Sequence, residues 1–225
     1  MIKACIFDLD GTLLYTLDSM AEAANHMLRD LDMEELPADN FRYYCGDGAR
    51  ALVQRVLADA GDKNAELMDR AYPLYMKYFG EDPLYNVDYF PGIRQALSDL
   101  KDRGLRLAVC SNKPDAQTQA VIEKMYPDVF DAVIGQREGL LPKPSPDMAL
   151  EAVRRLGVDP SECLYFGDSG TDMRTGKAAG LYTIGVLWGY RDLEELEDGG
   201  AEDAIFSPAD IAGLLGRFAV KDDAE

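Results

Sequence analysis

The chain is poor in the residues that build most metal and redox centres. Its 225 residues include one histidine, His26, and four cysteines, Cys5, Cys45, Cys110 and Cys163. A single imidazole excludes a histidine-based triad and a polyhistidine metal site, and His26 falls on a helical pattern as a surface or half-buried residue. No two cysteines form a C-x-x-C pair and three lie inside apolar runs, so they read as reduced and mostly buried. Cys110 adjoins Ser111 but follows an apolar strand, and it reads as core rather than as a nucleophile. Trp188, the one tryptophan, reads as packing. No apolar run reaches ~18 residues, so no membrane span is expected. Met1-Ile2-Lys3 leads straight into a strand without a signal peptide, which with reduced cysteines points to the cytoplasm.

Positive charge is scarce as well. Lys plus Arg number 23 against 41 Asp plus Glu, a formal net charge of -18. Such a surface repels nucleic-acid phosphates and anionic membranes, so neither is expected as a partner. An anionic substrate would be repelled too, and its site must supply a cation, a local lysine or backbone amides. Part of the excess lies in solvated runs at Glu194, Glu195, Glu197 and Asp198 and at Asp222 to Glu225. The sequence allows a monomer or a homodimer.

What is present is a core-forming α/β pattern. Hydrophobic residues make up 47% of the chain. Short apolar runs at Ala4 to Phe7, Leu105 to Cys110, Asp131 to Ile134, Cys163 to Phe166 and Tyr182 to Leu187 are bounded by Gly, Pro, Asp or Ser and read as buried strands. Between them, Ile93, Ala96, Leu97 and Leu100, and Met148, Ala152, Val153 and Leu156, recur at helical spacing. Strand-helix alternation predicts a parallel, Rossmann-like sheet covered by helices. Residues 15–85 break the alternation with three amphipathic stripes. The first is Leu17, Met20, Ala24, Met27, Leu28 and Leu31; the second is Leu52, Val53, Val56, Leu57 and Ala60; the third is Leu67, Ala71, Leu74 and Tyr78. This segment predicts a helical insertion after the first strand, with 1–14 and 86–225 forming the core. Tyr15-Thr16 and Glu81 to Pro91 would be its linkers.

Polar residues collect where the strands end, the edge at which open parallel sheets bind ligands. The first strand delivers Asp8 and Asp10 with Gly11-Thr12, and the second delivers Ser111-Asn112. A later loop carries Lys143-Pro144, and Cys163 to Phe166 leads into Gly167-Asp168-Ser169 with Asp172 four residues after Asp168. Each motif alone has a plain structural reading as a strand-end turn, a helix cap or a loop lysine. In order, however, they resemble the four motifs of the haloacid dehalogenase superfamily, and most closely its phosphoglycolate phosphatase-type members with a helical cap after the first strand. The likeness spans nearly the whole chain. D-x-D-G-T alone arises by chance in roughly one chain of this length in several hundred.

The chemistry agrees with the resemblance. A carboxylate nucleophile approaching a phosphate dianion meets like charge, which a shared divalent cation removes. Asp8 and Asp168 offer hard oxygens suited to Mg²⁺, and the resemblance adds the backbone carbonyl of Asp10 as a third ligand. Asp8 is expected to attack phosphorus and form an acyl phosphate. Asp10 would protonate the leaving alkoxide and later deprotonate water, and would be kept protonated by negative neighbours or burial. Thr12, Ser111 and Asn112 are expected to bind the phosphoryl oxygens, and Lys143 to neutralise them and orient Asp8. In the family, the position of Asp172 supports the metal shell or the lysine.

The insertion is expected to close over this edge as a cap. Cys45 to Arg50 is similar to the glycine-containing substrate loop of related caps, making Gly46, Gly48, Arg50 and also Arg42 candidates to meet the organic part of a small phosphate monoester. Tyr15 departs from the aspartate common at this position in relatives, so fine specificity is not transferred. Dehalogenases lack an acid at the position of Asp10, and phosphonate hydrolases need a cap lysine that neither Lys63 nor Lys77 supplies in a recognisable motif. A β-phosphoglucomutase-like mutase and a non-catalytic binding protein on the same fold stay as alternatives.

Overall fold

A computed structural model describes residues 1–218; the acidic Asp222 to Glu225 lie outside them. Six strands form one parallel sheet: β1 (Ala4–Phe7), β4 (Arg106–Pro114), β5 (Ala132–Gln136), β6 (Cys163–Gly167), β7 (Tyr182–Val186) and β8 (Asp203–Ile205). Their spatial order is β5-β4-β1-β6-β7-β8. The chain leaves β1, builds outward on one side through β4 and β5, then crosses to β6 on the other. That reversal puts the topological switch point beside β1. Phe7 is paired with Val109 on one side and Phe166 on the other, so Asp8 emerges level with Cys110 and Gly167.

Alternation along β1 divides the core. Cys5 and Phe7 enter one apolar cluster with Ile93, Leu97 and Leu100 of α5 (Ile93–Asp102), while Ala4 and Ile6 enter another with Met148, Ala152 and Leu156 of α7 (Asp147–Leu156). All four β1 side chains are buried, as a strand covered on both faces requires. Phe7 stacks on Phe166 with ring centroids 4.7 Å apart. Burying one such ring contributes about 2 kcal/mol relative to leaving it in water. The other flanking helices are α6 (Asp115–Met125), α8 (Gly170–Ala178), α9 (Leu193–Gly199) and α10 (Asp210–Leu215).

The helical segment lies between two short strands. β2 (Leu14–Tyr15) pairs antiparallel with β3 (Asp88–Tyr89), so the chain leaves and returns through one two-stranded ribbon. Between them run α1 (Leu17–Asp30), α2 (Phe41–Tyr44), α3 (Ala49–Asp59) and α4 (Met68–Glu81), which share an apolar cluster of their own. The α4 stripe differs from the one expected. Its buried face is Ala71, Tyr75 and Phe79, because the two aromatics remove more area from water than Leu74 and Tyr78 would. Tyr78 lies at the rim, stacked on His26 and bonded to Asp30.

The runs predicted as strands are strands, whereas β8 and the ribbon carried no sequence signal. All four cysteines are free and buried, and Glu194, Glu195, Glu197 and Asp198 are exposed. Among the described residues, no helix is long and apolar enough to cross a membrane.

Candidate active site

Asp8 leaves β1 into a tight turn, its amide donating to Phe166 O at 2.9 Å. Its buried carboxylate accepts from Lys143 Nζ, 2.6 Å from Oδ1. The same ammonium donates to Asp172 Oδ1 at 2.6 Å and to Cys110 O at 3.1 Å. Burial, then the Asp172 charge, pushes the Asp8 carboxyl up to about 7, against the lowering effect of Lys143. Burial works against the Lys143 ammonium, but Asp172 and Asp8 outweigh it and push its pKa up. Lys143 is therefore a fixed cation.

Asp168 follows β6 and is buried. Burial and the charges of Asp172 and Asp8 raise its pKa well above the ordinary value, while the Tyr190 amide donates to Oδ2 at 2.8 Å. Gly11, at φ +93°, and Gly189 both press on this carboxylate; a Cβ at either would overlap it. Ser169 caps α8 by accepting from the Asp172 amide, and it donates to Asp172 Oδ2 at 2.5 Å. With Tyr165 Oη 3.3 Å from its Oδ1, Asp172 has both oxygens engaged. Ligand oxygens of Asp8, Asp168 and Asp172 lie within 4.8 Å of one another. Three buried carboxylates around one ammonium leave an excess of negative charge suited to a divalent cation, and Asp172 is the acid most committed to protein partners.

A cleft opens over these strand ends. Asp8, Asp10, Ser111 and Asn112 line its core side, and Met20, Leu52, Tyr75 and Phe79 its helical side. Asp10 is mostly buried, in the same cleft as Asp8 and the apolar Met20, Tyr75 and Phe79, and it has a partner that was not expected. Lys113 Nζ lies 2.8 Å from Asp10 Oδ1. Asn112 binds backbone with its side chain: Oδ1 accepts from Lys143 N at 2.8 Å, and Nδ2 donates to Lys143 O and Gly46 O.

A family profile described as haloacid dehalogenase-like hydrolase matches residues 5–186. The chain belongs to this family. Phosphoglycolate phosphatases of Nitrosospira multiformis and Aquifex aeolicus are 37% and 31% identical to it; the first match covers 87% of this chain and 89% of the relative, the second 98% and 100%. A crystal structure from Lactobacillus delbrueckii subsp. bulgaricus superposes with TM-score 0.88 at 28% identity, over 95% of this chain and 98% of that one. Family and relatives together make the chain a phosphoric monoester hydrolase.

Within this haloacid dehalogenase-like hydrolase, the structure brings Asp8, Asp10, Ser111, Asn112, Lys143, Asp168 and Asp172 to one edge. Gly46 and Gly48, at φ +108° and +89°, line the cleft from the helical side. Three expected substrate contacts lie elsewhere. Thr12 is fully buried below the turn, its Oγ1 without a partner among the described residues, and does not line the cleft. Arg50 is exposed, 5.6 Å over the Tyr72 ring, because Ala49, Leu52 and Val53 take the inward face of α3. Arg42 is half-buried and also outside the lining.

Sequence reasoning passed over several residues that shape this family's site here. Lys113 stands next to a motif yet looks like any strand-end lysine. Trp188 Nε1 donates to Thr12 O at 2.9 Å and fixes the first-motif turn. Arg191 donates to Cys45 O at 3.0 Å and to Arg42 O, while Thr171 Oγ1 donates to Asp47 at 2.9 Å. With Asn112 these hold the 42–48 loop down on the core. None belongs to a motif, so only the fold reveals them.

Proposed function

We propose that this phosphatase hydrolyses a small, carboxylate-bearing phosphate monoester of the phosphoglycolate type, with Mg²⁺, through an aspartyl-phosphate on Asp8. The observation that carries the reading is Asp8 at the floor of the cleft, sharing the Lys143 ammonium with Asp172. Only one Asp8 oxygen is taken by the lysine, leaving Oδ2 to attack. Asp8, Asp168 and the Asp10 carbonyl would hold Mg²⁺, a hard cation that suits buried carboxylate oxygens. Bound there, the ion screens the like charge between nucleophile and phosphate dianion.

Asp8 attacks phosphorus, and the phosphorus–ester oxygen bond breaks as Asp10 gives the leaving alkoxide a proton. Water then attacks phosphorus, returning a proton to Asp10, freeing the Asp8 carboxylate and releasing inorganic phosphate. Ser111 and the amide of Asn112 bind the equatorial oxygens, and Lys143 offsets the charge that grows on them. Asp172 keeps Lys143 charged and placed. Residues 15–85 act as the cap over a core of 1–14 and 86–225. Loop glycines Gly46 and Gly48 bring backbone close to the substrate, and apolar Met20 and Phe79 limit water.

A panel of phosphoglycolate, sugar phosphates, nucleotides and pyrophosphate, scored by phosphate release with Mg²⁺, tests this reading. Preference for phosphoglycolate is expected. Conversion of glucose 1-phosphate to its isomer without free phosphate would instead support the mutase alternative, and no turnover of any ester would support a binding protein.

A further inference from the structure

We infer that Lys113 selects for a second anionic group on the substrate, and that this group, by drawing the ammonium off Asp10, frees Asp10 to reach the leaving oxygen. The inference rests on the phosphatase reading above and adds a specificity residue to it.

Lys113 is the one cation among the residues lining the cleft. Its side chain is only 2% exposed, its Nζ lies 2.8 Å from Asp10 Oδ1, and the ammonium sits 4.7 Å from the centre of the Phe79 ring. A desolvated ammonium needs an anion, and the face of Phe79 adds only a partial substitute. In this state Asp10 is that anion. The pairing has a consequence for turnover: while its Oδ1 is bonded to Lys113, Asp10 is not free to turn to the leaving oxygen.

The substrate supplies the exchange. Lys113 is two residues beyond Ser111, and its ammonium, bonded to Asp10 Oδ1, belongs to the same cleft lining as Ser111 and Asp8. Because the ammonium sits on Asp10, the residue that serves the leaving oxygen, it is placed for a carboxylate one or two carbons from that oxygen rather than for the far side of a sugar ring. The candidate arginines do not compete for this group: Arg50 stacks on Tyr72 and Arg42 lies outside the lining. A substrate with a neutral tail offers nothing to exchange, and leaves Lys113 on Asp10.

Steady-state phosphate release from phosphoglycolate and from 2-hydroxyethyl phosphate, which replaces the carboxylate by a neutral hydroxymethyl group, tests this in the wild type, Lys113→Met and Lys113→Arg. The wild type is expected to prefer phosphoglycolate in kcat/KM by on the order of 100-fold, the scale of a buried charge pair. Lys113→Met should erase that preference, raising KM for phosphoglycolate while kcat for 2-hydroxyethyl phosphate rises, since Asp10 is no longer tied. Lys113→Arg should keep part of the preference. Equal losses on both substrates in Lys113→Met, or an intact preference, would overturn the inference. If Lys113→Met fails to fold, the wild type and Lys113→Arg decide: a wild type indifferent to the carboxylate refutes the role of Lys113 while leaving the phosphatase reading standing. A wild type that releases phosphate from no monoester refutes that reading itself.

Discussion

Lys143 Nζ stands 2.6 Å from Asp8 Oδ1 and 2.6 Å from Asp172 Oδ1, so a single ammonium is divided between an acid at the cleft and an acid behind it. Asp172 is in turn held by Ser169 and Tyr165. Replacing it with Asn leaves Lys143 to pair with Asp8 alone and removes the counter-charge that keeps the lysine in place. Asp172→Asn is expected to lose about 3 kcal/mol of stability, as when one partner of a buried pair is removed. Its kcat should fall on the order of 100-fold through misplacement of Lys143 and Asp8. Urea unfolding and phosphate release measure the two effects; a variant as active as the wild type would remove Asp172 from the account.

On the proposed function, metal binding and pH are linked through Asp8 and Asp168. Burial raises the Asp8 carboxyl from its ordinary 3.8 to about 7 and that of Asp168 well above the ordinary value. The folded, metal-free protein therefore holds more protons than the unfolded chain from about pH 4 to 7, and its stability falls as pH rises through that window. Mg²⁺ competes with those protons, so it should bind more tightly, and stabilise more, at pH 8 than at pH 6. Melting temperatures at both pH values, with Mg²⁺ and with a chelator, check the sign; equal stabilisation at both would contradict it. Hydrolysis should stop in the chelator.

Gly11 is needed for its lack of a side chain. At φ +93° an L-residue is strained, and a Cβ there would run into the Asp168 carboxylate and the Tyr190 ring. Gly11→Ala should cost about 1–3 kcal/mol for the backbone and abolish most turnover by displacing Asp168. Retained activity with unchanged Mg²⁺ affinity would show that the turn tolerates the methyl group.

Arg191 ties the core to the 42–48 loop through two backbone carbonyls. Arg191→Ala frees that loop, and since charged hydrogen bonds are worth about 1.5–3 kcal/mol each, KM should rise about tenfold or more. A smaller change is expected in kcat, because no Arg191 atom reaches Asp8 or Lys143 by hydrogen bond. An unaltered KM would mean that the loop keeps its place without the arginine.

The sheet and the catalytic edge were legible because their signals are local and repeated. Ala4 to Phe7 is an apolar run followed at once by two acids, and the other motifs end strands in the same way. Periodicity on α5 and α7 likewise named the residues now found buried. What escaped depends on how distant segments meet. β8 has a single buried residue, Ile205, too little to register as a strand. Lys113 is unremarkable until Asp10 and Phe79 surround it. Arg50 followed a loop resemblance that specifies where the backbone runs but not which face of α3 the side chain takes. On α4, spacing alone could not choose between the rows 71-75-79 and 71-74-78. Size did.

The central claim is that phosphate passes through a covalent bond to Asp8. Acid quench of the enzyme during turnover with Mg²⁺ and phosphoglycolate, followed by borohydride reduction and peptide mass spectrometry, reads that bond directly. The account predicts conversion of Asp8 to homoserine, absent in Asp8→Asn and absent without substrate. Rapid phosphate release with Asp8 unconverted at every quench time, or conversion at another carboxylate, would contradict it.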